Sequence, residues 1–269
     1  LNLGSGAVTM AQSAVLTVSA STLTVGGAIG EAGGARSLTK AGAGTLVLGG
    51  NDSYTGATNV NLGTLTLNGN NTFTGLVTLN AGTLNLNNSN SGAGGVTMLA
   101  GALNLGNGAA LGTGTLTIGG GTLNNTSGGA MTLSTNNAQA WNGSYTFTGT
   151  NDLSLGTGAV ALGTTPTITV SAGTLTEGGN ISGTGFGLTK AGAGTLTLTG
   201  SNTYTGNTAI NAGSVGISSN SNLGDAALGS DFGTDGGDLV LVKAQDGGHH
   251  ARRAGAGFFH EATALAHQA

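Results

Sequence analysis

The chain has 269 residues; 55 are Gly, one is Pro, none is Cys, 6% are charged, 4% are aromatic, and the net charge is −4. The absence of Cys excludes a disulfide scaffold and a thiolate metal site. Glycine without a strict three-residue period excludes collagen, an apolar content of 38% with so few charges excludes charge-rich disorder, and abundant Gly, Thr, Ser and Asn disfavour helix interiors. What remains is an all-β protein rich in tight turns, with no basic face for nucleic acid or anionic lipid and no run of about 18 apolar residues to cross a membrane as a helix.

The opening Leu1–Gly6 has neither the basic region nor the apolar stretch of a secretory leader and starts in mid-pattern, so the chain reads as a piece of something longer. From residue 44 a short element of the form Gly-Thr-Leu-x-Leu recurs: Gly44–Leu48, Gly63–Leu67, Gly82–Leu86 and, with Ala for Thr, Gly101–Leu105. Its central leucines fall at 46, 65, 84 and 103, a period of 19 residues. Gly114–Ile118 follows out of step, and Gly121-Thr122-Leu123 resumes the pattern. A larger repeat overlies this one. The segment 38–46, Leu-Thr-Lys-Ala-Gly-Ala-Gly-Thr-Leu, returns unchanged at 188–196, and Leu3–Val8 and Thr22–Gly27 have counterparts at Leu155–Val160 and Thr174–Gly179. The chain thus holds about one and three-quarter copies of a unit near 150 residues.

Within each short element apolar and polar residues alternate, the signature of a strand with one buried face. A single 19-residue rung cannot bury its own apolar side, whereas stacked rungs can, each strand pairing with its counterpart one turn on at about 4.8 Å. The leucines at 46, 65, 84 and 103 are then an interior ladder, and Tyr54 stacks on Phe73. Gly and Asn supply the corners, and charges are scarce because stacking sets like residues over one another. Residues 1 to 243 are expected to make about 12 rungs and a rod of roughly 55 to 60 Å. A flat sheet of hairpins, with turns at Asn68-Gly69, Asn107-Gly108 and Asn142-Gly143, is the competing arrangement. It does not require an identity period of 19.

The stretch Leu38-Thr39-Lys40-Ala41-Gly42-Ala43-Gly44-Thr45-Leu46-Val47-Leu48, followed by Asn51-Asp52-Ser53-Tyr54-Thr55-Gly56 and Val60–Leu65, resembles the passenger-associated transport repeat of bacterial autotransporters. The second copy, Leu188–Leu198 with Asn202-Thr203-Tyr204-Thr205-Gly206 and Asn211–Val215, resembles it more closely. The resemblance implies a right-handed parallel β-helix (β-solenoid), here with about 19–20 residues per rung. It also implies a passenger or stalk region exported to a Gram-negative cell surface, with adhesion as its use and an outer-membrane β-barrel translocator as its partner. In that family the repeat is thought to assist folding during secretion. The chain carries no segment with the strand pattern of such a barrel, so it is expected to be an internal fragment or the product of a truncated gene, unable to export itself.

No catalytic, cofactor-binding or metal-ligating residue is assigned. Asp52 and Asp152 are the nearest thing to a glycosidase carboxylate pair, but they lie in Asn-Asp turns too many rungs apart to meet, and Glu31 and Glu177 are also far apart in sequence. The spacings of a nucleophile elbow or phosphate loop are missing, and Gly42-Ala43-Gly44 leads into a strand rather than a helix. Asp231, Asp235 and Asp238 resemble one turn of a calcium-binding nonapeptide repeat, but a single poor copy reads as a polar turn before a strand at 239–242. Lys40 and Lys190 are expected to be exposed guards against edge pairing, and Trp141 to be a packed aromatic rather than a carbohydrate platform. The pairs Thr22/Thr24, Thr64/Thr66, Thr115/Thr117, Thr174/Thr176 and Thr195/Thr197 raise the alternative of an ice-binding Thr ladder, broken at Val47, Asn85 and Asn104. A further alternative is the scaffold of a β-helical carbohydrate-active enzyme whose site lies elsewhere.

After about Lys243 the repeat ends, and His249, His250, His260, His267, Arg252 and Arg253 gather. Residues 244–269 read as a separate tail, from a shifted reading frame, or as a mobile cap. His260-Glu261 lacks the second His of a zinc helix, since Ala264 stands in its place.

Overall fold

The structure, a computed structural model, describes residues 1–224 and the strand Asp238–Leu241. The calcium-like turn, the tail histidines and the 244–269 segment lie outside the described residues.

Alternation in the sequence becomes alternation in burial. In Thr45–Leu48, Thr64–Leu67 and Thr83–Leu86 the leucines are buried and the intervening Thr, Val or Asn are half-buried on the outside. All of these strands pair in parallel, and the register is the sequence period. Leu46 lies opposite Leu65, Leu65 opposite Leu84, and Leu84 opposite Leu103. Each of these leucines is fully buried, worth roughly 1.5–3 kcal/mol apiece relative to exposure. The hairpin arrangement is therefore wrong for the described residues; the molecule is a parallel β-solenoid. Tyr54 and Phe73 stack as the period requires, with centroids 5.7 Å apart and planes 20° apart.

The chain visits three sides in rotation. The first side is a nine-stranded sheet, the second a ten-stranded sheet, and the third a six-stranded sheet in the C-terminal half with a two-stranded one near the N-terminus. The central rungs repeat at 19 residues, but flanking rungs run to 21, 22, 23 and 24. The longer rungs reduce the count below the expected 12. The longest ladder has ten strands, about 43 Å from end to end at a strand spacing near 4.8 Å.

One corner shows why glycine is obligatory. Gly63, Gly82, Gly101 and Gly121 precede successive second-side strands with φ of 69, 78, 79 and 92°. A Cβ on Gly63 would lie 2.4 Å from the carbonyl oxygens of both Gly42 and Gly44. Gly213, its counterpart in the second copy, has φ of 68° and meets Gly192 and Gly194 in the same way. Only a residue without Cβ satisfies both the backbone angle and the approach of the rung below.

The two copies of the long repeat do not occupy the same sides. Leu38–Ala41 is on the first side and Thr45–Leu48 on the second, whereas Leu188–Ala191 is on the second and Thr195–Leu198 on the third. The second copy is rotated by one side about the solenoid axis. Its internal contacts survive the rotation: Tyr54 and Thr58 share a hydroxyl hydrogen bond of 2.6 Å, and Tyr204 and Thr208 share one of 2.5 Å.

The Leu84→Ala substitution should cost about 2–5 kcal/mol by leaving a gap in the interior ladder, while Thr83→Ser, on the outward side of the same strand, should change stability by less than about 0.5 kcal/mol; denaturant unfolding of both variants measures the difference.

Candidate functional surface

The side chains singled out from the sequence do not converge. Asp52 is buried in the turn after Thr45–Leu48, and its Oδ1 accepts from the Ile29 amide at 2.8 Å. Asp152 is exposed in a different turn, where its Oδ1 accepts from the Thr174 amide at 2.7 Å. Glu31 sits half-buried at a corner and accepts from the Thr55 hydroxyl and, at 2.6 Å, from the Arg36 amide, contacts that hold its carboxyl below the usual range. No group of three or more His, Asp or Glu side chains suited to a metal occurs among the described residues.

Glu177 was missed as anything but an isolated carboxylate. It is fully buried, accepting from the Gly179 amide at 2.7 Å and from Gln139 Nε2 at 2.8 Å, while Gln139 Oε1 accepts from Trp141 Nε1 at 3.1 Å. Desolvation pushes its carboxyl up to about 8, and the Tyr145 phenol is raised by its own burial and, less, by the charge of Glu177. Trp141 is packed inside, edge-to-face with Tyr145 at 5.6 Å, and offers no platform to a sugar. Gln139, Trp141, Tyr145 and Glu177 are all buried, so the cluster lies inside the solenoid rather than on its surface.

Lys40 and Lys190 overturn their expected role. Both are buried, not exposed. The Nζ of Lys40 donates to the carbonyls of Ala41, Gly42 and Leu62 at 2.9, 2.7 and 3.0 Å. Lys190 repeats this with Ala191, Gly192 and Ala212 at 2.8, 2.8 and 3.1 Å. All three ammonium donors are used, two within the lysine's own corner and one on the next rung. Burial lowers both pKa values, that of Lys190 to about 8. Alternation alone held the signal: Lys40 shares parity with the buried Leu38.

The external face is therefore almost free of charge. Over residues 1–224 the charged side chains not fully buried are Glu31, Arg36 and Asp152. What the solenoid presents instead is stacked hydroxyls and amides. One outward column on the second side carries Thr22, Thr45, Thr64, Thr83, Ala102, Thr122, Thr146 and Thr169 in register. Beside it run Thr24, Val47, Thr66, Asn85, Asn104 and Asn124. Asn104 donates to Asn85 and Asn85 to Thr66, at 2.8 and 2.9 Å. Asn80 donates to Asn61 and Asn87 to Asn68, each at 2.8 Å. The Thr-x-Thr pairs that suggested an ice-binding rank are spread over all three sides: Thr22/Thr24 and Thr64/Thr66 on the second, Thr117 on the first, Thr174/Thr176 and Thr195/Thr197 on the third. On the third side Thr132, Asp152, Ser154, Thr174 and Thr176 line a shallow depression of about 250 Å³.

The passenger-associated transport repeat family matches this chain in three places, residues 38–66, 61–86 and 188–217. These are the rungs that carry the buried lysines, the glycine corner and the stacked tyrosine. The chain carries passenger-associated transport repeats in these three places. A stretch of 99 residues, 37% of the chain, is 44% identical to the adhesin BmaC autotransporter of Brucella suis biovar 1 (strain 1330). That stretch covers 2% of the relative's length. No solved structure matches the chain.

Because the passenger repeat places its lysine under three carbonyls, Lys40→Met should leave those oxygens without their shared donor and destabilise the fold by about 2–4 kcal/mol. An exposed lysine would give a change under about 0.5 kcal/mol, so the midpoint of a urea titration distinguishes the two.

Proposed function

We propose that this chain is a stalk and adhesive segment of an autotransporter passenger, held at the outer surface of a Gram-negative cell and delivered there through an outer-membrane β-barrel translocator. The observation that carries the reading is the ten-stranded parallel ladder of the second side, whose outward columns are stacked hydroxyl and amide groups. Such a surface suits extended hydrogen bonding with an uncharged partner along the length of the rod, and it provides no acid, base and nucleophile in one place for catalysis. The similarity to a protein named as an adhesin agrees with this use.

The rungs also suit vectorial export. Each needs only its predecessor as a template, so a chain emerging through a pore folds rung by rung. In this reading the repeat region to about residue 243 acts as one stacked unit and the 244–269 segment stands apart from it.

Displaying the chain on Gram-negative cells, fused to a secretion leader and a β-barrel translocator, tests the proposal. Adhesion to host cells or to neighbouring bacteria should exceed that of the translocator alone. It should persist at 0.5 M salt, where the Debye length falls to about 3–5 Å, because the described rungs offer little charge to screen. Display without any gain in adhesion would contradict it.

A further inference from the structure

We propose that Asp52 is an acid-responsive latch: a proton taken from solvent onto its Oδ2 supplies the donor that is missing from the buried amide ladder closing the third side of the solenoid.

The ladder reinforces a side that has no sheet. Between the N-terminal two-stranded sheet and the strand Met131–Thr132 the third side has no strands, and consecutive turns are tied by isolated backbone bonds, such as Thr72 N to Asp52 O and Ser91 N to Asn71 O, and by side chains one rung apart. Asp52 Oδ1 accepts from the Ile29 amide at 2.8 Å, Asn71 Oδ1 from the Asp52 amide at 2.9 Å, and Asn90 Oδ1 from the Asn71 amide at 3.1 Å. In each link the oxygen takes a backbone donor from the rung before. The amide nitrogens then donate onward, Asn71 Nδ2 to Asn90 Oδ1 and Asn90 Nδ2 to Ala110 O, and Asn71 Nδ2 also donates to Gly69 O within its own turn.

The second copy of the repeat shows what belongs at position 52. There the equivalent residue is Asn202. Its Oδ1 accepts from the Ile181 amide at 2.8 Å, as Asp52 does from Ile29, and its Nδ2 donates to the Asn222 carbonyl on the next rung. Asp52 keeps the acceptor half of this arrangement and lacks the donor half. Its Oδ2 is buried and has no hydrogen-bond partner. As a carboxylate it can only accept; protonated, Oδ2–H is a donor in the place of the Asn202 amide N–H.

The surroundings favour the neutral form. Burial raises the Asp52 carboxyl to about 6, against the lowering effect of the Ile29 amide. Tyr54, in the same turn and stacked on Phe73 of the next rung, is the titratable group that feels its charge. On the preceding rung Glu31 accepts from the Thr55 hydroxyl and the Arg36 amide, and the Arg36 guanidinium donates to the Ala32 and Gly33 carbonyls. The Lys40 ammonium is held by three carbonyls.

The sign follows from a raised folded-state pKa. The stabilisation is present in full below the unfolded value of 3.8 and is lost as pH rises through about 6. Removing the charge with Asp52→Asn, which installs the amide of the second copy, should leave stability near wild type at pH 3.5. At pH 7.5 the variant should exceed wild type by about a hundredfold in the folding equilibrium constant, the equivalent of two pKa units. Glu177, many rungs away, titrates in both proteins and cancels in the comparison. Parallel stability curves for wild type and Asp52→Asn from pH 3.5 to 7.5 would overturn the proposal. If unfolding is irreversible, the Asp52 carboxyl ¹³C shift in the native 269-residue chain decides it: a midpoint above 5 supports the latch, and one below 4.5 overturns it.

Discussion

In-register stacking of a parallel ladder is the constraint on which the rest of the molecule depends. Once Leu46, Leu65, Leu84 and Leu103 are forced over one another, every other position in the rung is also stacked on its own counterpart. A leucine column gains from this, because apolar neighbours exclude water from each other. An Asn or Thr column gains through side-chain hydrogen bonds between rungs. A charged column would place like charges about 4.8 Å apart, which is unfavourable. The low charge of the sequence and the neutral exterior are one fact at two levels.

The same constraint decides how polar groups enter the lumen. The two lysines and Glu177 each stand alone in their columns and are matched by local dipoles rather than by an opposite ion. Lys40 and Lys190 are each surrounded by three carbonyls of a glycine-rich corner. Glu177 is held by one backbone amide and Gln139. Where a side lacks strands, Asn71 and Asn90 add side-chain bonds to the few backbone bonds between rungs. Hydrogen bonding offsets the cost of burying a polar group, and the passenger repeat carries the partners of its lysine within its own sequence. That independence explains why the second copy keeps the same contacts after rotating by one side.

The period-19 columns were legible in the sequence, because identical residues at a constant spacing report directly on stacking. The ladder of leucines and the Tyr54–Phe73 pair follow from that alone. The Asp52–Asn71–Asn90 ladder was equally available, since these residues also lie 19 apart, but three polar residues in turns read as solvent-facing. Lys40 was misplaced because its charge outweighed its parity. The rotation of the second copy had no local signal. It depends on the lengthened rungs between the copies, where Thr122 pairs with Thr146 and Tyr145 with Ile168, and those pairings are set by tertiary packing. The Gln139–Glu177 contact, 38 residues apart, is illegible for the same reason.

Register is the central claim, and a chain without cysteine allows it to be read covalently. Thr66 and Asn85 are opposed on adjacent strands, and Thr66 and Asn104 are two strands apart. A disulfide requires Cα atoms about 4.4–6.8 Å apart. The double variant Thr66→Cys with Asn85→Cys should therefore oxidise to an intramolecular disulfide, while Thr66→Cys with Asn104→Cys should not. Failure of the first pair, or equal cross-linking of the second, would contradict a solenoid stacked at this register.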